Sequence, residues 1–188
     1  MVGSTSKAAA LRELAETILV KDPTPDLRQG ATQMVFGTGS PDAALVFVGE
    51  APGKQEDLSG EPFVGASGKL LNEMLASIGL ERSDIYITNI VKYRPPANRD
   101  PSKAEIAAFV PYLKRQIDII RPKVVIFLGR HAMNVFLPEL KISEAHGNAI
   151  VRDGQTYLPL YHPAAALYNG RLRQTLMVDF AKIPAIIH

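Results

Sequence analysis

Four short apolar runs recur along the chain, ALVFV at 44–48, IYITNI at 85–90, KVVIFLG at 123–129 and TYLPL at 156–160, separated by far too many residues for hairpins. Each is rich in β-branched or aromatic residues and bounded by turn formers, which is how buried strands read. The segments between them carry helical spacing. Residues 68–79 form an amphipathic stretch closed by Gly79 at a position suited to the left-handed residue after a helix. Ser102-Lys103-Ala104-Glu105 is a capping box opening a helix to Ile120, in which Pro111 predicts a kink or a new turn. Further helices are expected over 130–137 and 172–183. Strand alternating with helix predicts a three-layer α/β/α fold around a central, mainly parallel four-stranded sheet. Pro159 places the last strand at an edge. A helix over 7–20, with Leu11, Leu14, Ala15 and Ile18 on one face, comes first, and 21–42 reads as a long ordered connection. The expectation is one domain over 1–188, with 1–43 the helix and connection and 44–183 the α/β core.

Cysteine is absent and 46% of the residues are hydrophobic. The first fact excludes disulfides, thiolate nucleophiles and every Cys-ligated metal or iron–sulfur centre; the second supplies a core. No apolar run approaches the roughly 20 residues that span a bilayer, and the N-terminus lacks a signal-peptide pattern. A soluble, cytoplasmic monomer without membrane contact is expected. Charge is uneven: residues 1–62 hold 5 basic and 9 acidic side chains (net −4), residues 92–130 hold 9 basic and 3 acidic (net +6). That contrast is consistent with one cationic face or with a solvated helix flank.

Parallel strands bring the loops that follow them to one edge of the sheet. These loops are Gly49-Glu50-Ala51-Pro52-Gly53, residues 89–98, Gly129-Arg130 and Tyr161-His162-Pro163-Ala164. Gly49-x-x-x-Gly53-Lys54 imitates a phosphate-binding loop but is one residue short, with Gln55 where a Ser or Thr would hold Mg²⁺.

Gly49–Gly53 with Glu56-Asp57, Glu61-Pro62-Phe63-Val64-Gly65, Thr88-Asn89-Ile90-Val91-Lys92, Arg94-Pro95-Pro96 with Asn98-Arg99, and His162-Pro163-Ala164 occur in this order. Together they resemble the family 4 uracil-DNA glycosylases over about residues 31–182, including Ala31-Thr32-Gln33 and Val35-Phe36-Gly37. The resemblance implies an enzyme that flips uracil from single- or double-stranded DNA and hydrolyses its N-glycosidic bond, starting base excision repair in the cytoplasm or at the nucleoid. It implies that Asn89 reads the base, since one carboxamide accepts from uracil N3–H and donates to O4. Phe63 would stack on the base, Gly49 and Ala51 would line its pocket, and His162 would donate to O2 as negative charge collects there. Glu50 is the candidate that stabilises the sugar cation or orients water; Glu56 is a second carboxylate, for proton transfer or for holding the loop. In the best-known relatives an aspartate stands where Ala51 does, so Glu50 would act from the neighbouring position. Ser67, Lys69, Lys92, Arg94, Arg99 and Arg130 are candidate DNA contacts, and Leu167 the candidate wedge. His131, His146 and His188 read as structural.

Family 4 members hold an iron–sulfur cluster on four cysteines, and those positions are Asp22, Pro25, Tyr93 and Phe109 here. No metal or cofactor is expected; Tyr93 and Phe109, with Pro23 and Pro25, would close that region by packing. Two other functions compete with hydrolysis. One is a module that binds uracil-DNA without turnover; residues 94–101 lack the histidine insertion by which a related group traps DNA covalently. The other is a nucleotide-binding or interaction domain on the same fold.

Overall fold

The computed structural model describes residues 6–187. Helix α1 (Lys7–Lys21) is capped by Ser6, whose hydroxyl accepts from the Ala9 N–H. The connection after it is less irregular than its composition suggests. It contains α2 (Pro25–Gly30) and a two-residue strand, β1 (Thr38–Gly39). Then come β2 (Leu45–Gly49), α3 (Lys54–Ser59), α4 (Ala66–Ser77) and β3 (Tyr86–Asn89). The next elements are α5 (Lys103–Ile120), β4 (Val124–Leu128), α6 (Arg130–Phe136) and α7 (Ile142–Ala145). The chain closes with β5 (Ile150–Arg152), β6 (Gln155–Leu160), α8 (Pro163–Ala166), α9 (Gly170–Phe180) and α10 (Ile183–Ile187).

The sheet has six strands, not four, in the order β1-β3-β2-β4-β6-β5. The four expected strands form its parallel centre. β1 and β5 add short antiparallel edges, too brief and too exposed to leave an apolar run. β6 is therefore one strand in from the edge. β5 pairs only with its first half, and the Pro159 carbonyl accepts from Gly147 N on that same open side, so the missing proline N–H interrupts no ladder. α5 runs through Pro111 as one helix. The expected helix over 172–183 instead starts at Gly170, capped by Asn169, whose side chain accepts from Leu172 N, and breaks after Phe180.

Successive β2 residues alternate between two apolar layers. Val46 and Val48 face α1 and α5 through Leu11, Ile18, Phe109 and Leu113. Leu45 and Phe47 face α4 and α9 through Leu70, Met74, Leu176 and Phe180. With helices covering both faces, the strand ends at one sheet edge are left for chemistry.

The cysteine-equivalent positions lie under α1 and α5. Tyr93 and Phe109 are buried with ring centroids 6.1 Å apart, and Phe109 meets Tyr112 edge-on at 6.5 Å. Pro25 is exposed, so the apolar contribution of α2 is the buried Leu27 instead. Asp22 Oδ1, Thr24 Oγ1 and Tyr93 Oη are buried without hydrogen-bond partners. Hard oxygens and rings where a cluster needs four thiolates do not fit an iron–sulfur centre.

Candidate active site

The loops after β2, β3 and β6 converge on a cleft of about 280 Å³ lined by Glu50, Phe63, Asn89, Pro95, Asp100 and His162, among others. Its floor requires the absence of side chains. A Cβ on Gly49 would lie 2.4 Å from Asn89 Oδ1 and 2.6 Å from the Phe63 ring, so only glycine lets both side chains cross that strand end. Gly129, with φ 97°, likewise leaves room for His162.

Phe63 is buried although it lies in a Pro/Gly loop, and its backbone is left-handed at φ 55°. A non-glycine residue there costs on the order of 1–3 kcal/mol. The neighbourhood compensates: Arg82 donates to the carbonyls of Pro62 (2.6 Å) and Phe63 (3.0 Å). Gly68 of α4 admits the same carbonyl where a Cβ would sit 1.8 Å away. Glu56 holds the other end of this loop. Its Oε1 accepts from Val64 N and Gly65 N at 2.9 Å, and its Oε2 from Gly53 N at 3.1 Å. Both oxygens are committed to backbone donors, so its geometry is that of a loop clamp.

Asn89 ends β3 and is 2% exposed, and among the described residues its carboxamide makes no hydrogen bond. His162 stacks on Phe63 with centroids 5.6 Å apart. Its Nδ1 accepts from Ala164 N at 3.1 Å, leaving the hydrogen on Nε2. Burial, reinforced by the nearby His131, lowers its pKa to about 4. The ring is therefore a neutral donor at ordinary pH.

Glu50 Oε1 is buried without a hydrogen-bond partner. Burial raises the pKa of this carboxyl, Asp100 raises it further, and His131 and Arg130 pull it down. His131 lies between the two carboxylates, Nδ1 3.7 Å from Glu50 and Nε2 3.7 Å from Asp100. Expected to be structural, it lies beside two carboxylates that line the cleft, and the signal for that was its place one residue after the Gly129-Arg130 loop. His146 does bear a structural contact, to Asp179 at 2.6 Å; His188 lies outside the described residues.

The expected DNA contacts divide. Ser67 lines the cleft, Lys69 and Arg130 are exposed, and Arg94 is half-buried. Lys92 is 0% exposed and enclosed by protein acceptors, so it cannot meet a phosphate. The Arg99 fork is occupied by Glu105 at 2.7 and 2.8 Å, a pairing that holds the carboxyl down to about 2. The cationic face is smaller than the residue count over 92–130 implied. Leu167 packs partly against the α4 and α9 layer, whereas Tyr168 beside it is 97% exposed.

Residues 36–182 match the Uracil DNA glycosylase superfamily. The chain belongs to that superfamily. It is 50% identical over 169 residues to a type-4 uracil-DNA glycosylase of Sulfurisphaera tokodaii, covering 84% of this chain and 76% of that protein. The type-4 uracil-DNA glycosylase of Archaeoglobus fulgidus is 51% identical over 84% of each chain. That of Thermotoga maritima is 40% identical over 94% of this chain and 95% of its own. This member of the superfamily has no cysteine, so it forms no iron–sulfur cluster. No helix among its described residues is long and apolar enough to cross a membrane.

Proposed function

We infer that this chain removes uracil from DNA by hydrolysing the N-glycosidic bond, releasing free base and leaving an abasic site for base excision repair. The observation that carries this reading is the pairing, in one cleft, of an unpartnered carboxamide on Asn89 with a neutral imidazole of fixed tautomer on His162. Uracil stacked on Phe63 presents N3–H and O4 to the Asn89 carboxamide, which accepts from one and donates to the other. Gly49 and Ala51 keep side-chain bulk out of its plane.

As the C1′–N1 bond breaks, the electron pair leaves with the base and negative charge gathers on O2. His162 Nε2–H donates to that oxygen without giving up its proton, an oxyanion-hole type of stabilisation. The sugar is left as an oxocarbenium ion. The Glu50 carboxylate stabilises it and aims a water at C1′; the water oxygen bonds to C1′ and its proton passes to Glu50 and then to solvent. Glu56 fixes the loops that carry Phe63 and Gly53. Ser67, Lys69, Arg94 and Arg130 hold phosphates; Arg99 does so only by sharing its fork with Glu105.

Flipping places a single nucleotide in the cleft, so single- and double-stranded DNA both serve. We assign the gap-filling role to the 167–168 tip, where Tyr168 projects furthest. The reading is of a monomer acting in the cytoplasm and at the nucleoid. Incubation with a uracil-containing oligonucleotide, followed by alkali and a gel, should give a strand break at the uracil together with free base. Tight binding with no base released under single-turnover conditions would make the chain a uracil-DNA binding module instead.

A further inference from the structure

Lys92 is an unusual residue to find without any exposure. Its ammonium donates to Thr88 Oγ1 at 2.7 Å, to the Asn89 carbonyl at 2.6 Å and to Gln116 Oε1 at 2.5 Å, and lies 5.8 Å from the centre of the Phe36 ring. None of the three acceptors is charged. Each can only accept. The one Thr88 hydroxyl hydrogen goes to the Phe36 carbonyl at 2.7 Å. The Gln116 amide nitrogen donates to that same carbonyl at 3.1 Å and to Tyr86 Oη at 3.3 Å, which turns Oε1 toward Lys92. Three acceptors require three N–H donors, and a neutral amine has two. Burial drives the pKa of this amine well down; the closed set of acceptors and the Phe36 face oppose that by stabilising the ammonium.

A buried cation without a counter-charge is costly, and this one is spent on the final carbonyl of β3. β3 ends at Asn89, yet the next two residues stay bonded to the end of β2 and the residue after it: Ile90 N donates to Gly49 O and Val91 N to Glu50 O. The Asn89 carbonyl and carboxamide hang from the same Cα, so a bond that pins the carbonyl restrains the Cα–Cβ direction from which the carboxamide projects. Gln116 belongs to α5 and Phe36 to the segment before β1, so Lys92 ties the end of β3 to two elements distant in sequence.

We propose that Lys92 is a positioning residue for base recognition: through its bond to the Asn89 carbonyl it fixes the Asn89 carboxamide in the register that accepts uracil. The proposal rests on Asn89 being the residue that reads the base. It predicts a rate effect that exists only while Asn89 is present, because a misplacement of about 1 Å at a recognition group can cost about 10²-fold.

The experiment is a double-mutant cycle on single-turnover release of uracil from one oligonucleotide at one salt concentration, with thermal melting of every variant. Lys92→Met, similar in length and without a donor, should lose roughly 10²-fold in rate while affinity for an abasic-site oligonucleotide, which offers phosphates but no base, stays within about threefold. In an Asn89→Ala background the same substitution should cost less than about threefold further. Equal losses in both backgrounds would make Lys92 a purely structural residue and overturn the proposal. An Asn89→Ala variant as fast as wild type would instead remove Asn89 as the reader, whatever Lys92 does. Should Lys92→Met not fold, Gln116→Leu, which deletes one acceptor, carries the same cycle. A loss from Gln116→Leu that persists unchanged without Asn89 refutes the proposal, and a loss that vanishes supports it.

Discussion

The backbone N–H of Ala164 donates to His162 Nδ1 at 3.1 Å, and the ring that receives it is held neutral by burial. One helix-opening contact thus decides which nitrogen faces the cleft. His162→Ala should slow single-turnover cleavage by about 10²–10³-fold, the loss that follows removal of one such donor. Affinity for uracil-DNA should change far less, since phosphate contacts dominate it. Proportional losses in rate and affinity would make His162 a ground-state contact.

The same tautomer argument fixes a pH dependence. A histidine whose folded pKa is depressed to about 4 stays unprotonated as pH falls through 6.5, while the unfolded chain takes up its proton there. Stability is therefore present above 6.5 and declines as pH drops toward about 4. The donor itself should remain competent until pH nears about 4. Glu50 behaves differently. Its raised pKa means that the carboxylate the reaction uses is lost, as pH falls, earlier than an ordinary glutamate would be. His131 opposes that rise, so His131→Gln should move the acid limb of the rate profile to higher pH. In a Glu50→Gln background the movement should disappear. If it persists, the titrating group is His162, which His131 also influences.

Asn89→Asp tests how the base is read. A protonated carboxyl presents donor and acceptor in either order, which an oriented amide does not. The variant should cleave uracil more slowly and gain measurable cleavage of cytosine in single strands. Wild-type uracil cleavage in this variant would exclude Asn89 as the reader.

Phe109 is fully buried between Tyr93 and Tyr112. Truncation to alanine should lower unfolding free energy by roughly 3–5 kcal/mol in denaturant titrations. A loss below about 1 kcal/mol would mean that the rings do not hold this region.

The parallel centre of the sheet was legible because strands covered on both faces are continuous apolar runs, and ALVFV or VVIFL allows little else. The edges were not, since Thr38–Gly39 and Ile150–Arg152 are too short to carry a period. Within the site, Gly49, Asn89 and His162 could be placed from their positions after strands. Lys92 could not, because one of the acceptors that swallow its charge, Gln116, is 24 residues away and nothing near Lys92 announces it. Arg82 escaped notice for the same reason: its partners are two carbonyls 19 and 20 residues earlier. The nearness of His131 to Glu50 and Asp100 follows from the rule that gathers loops at one sheet edge.

Tyr93 and Phe109 meet at two of the positions where the family 4 resemblance implies cysteine. A joint made of two rings is complete as soon as the chain is. No metal has to be delivered before it closes, and no thiolate has to be kept reduced afterward. For this protein, neither iron–sulfur assembly nor thiol oxidation bears on the closing of that joint, because the chain carries no cysteine.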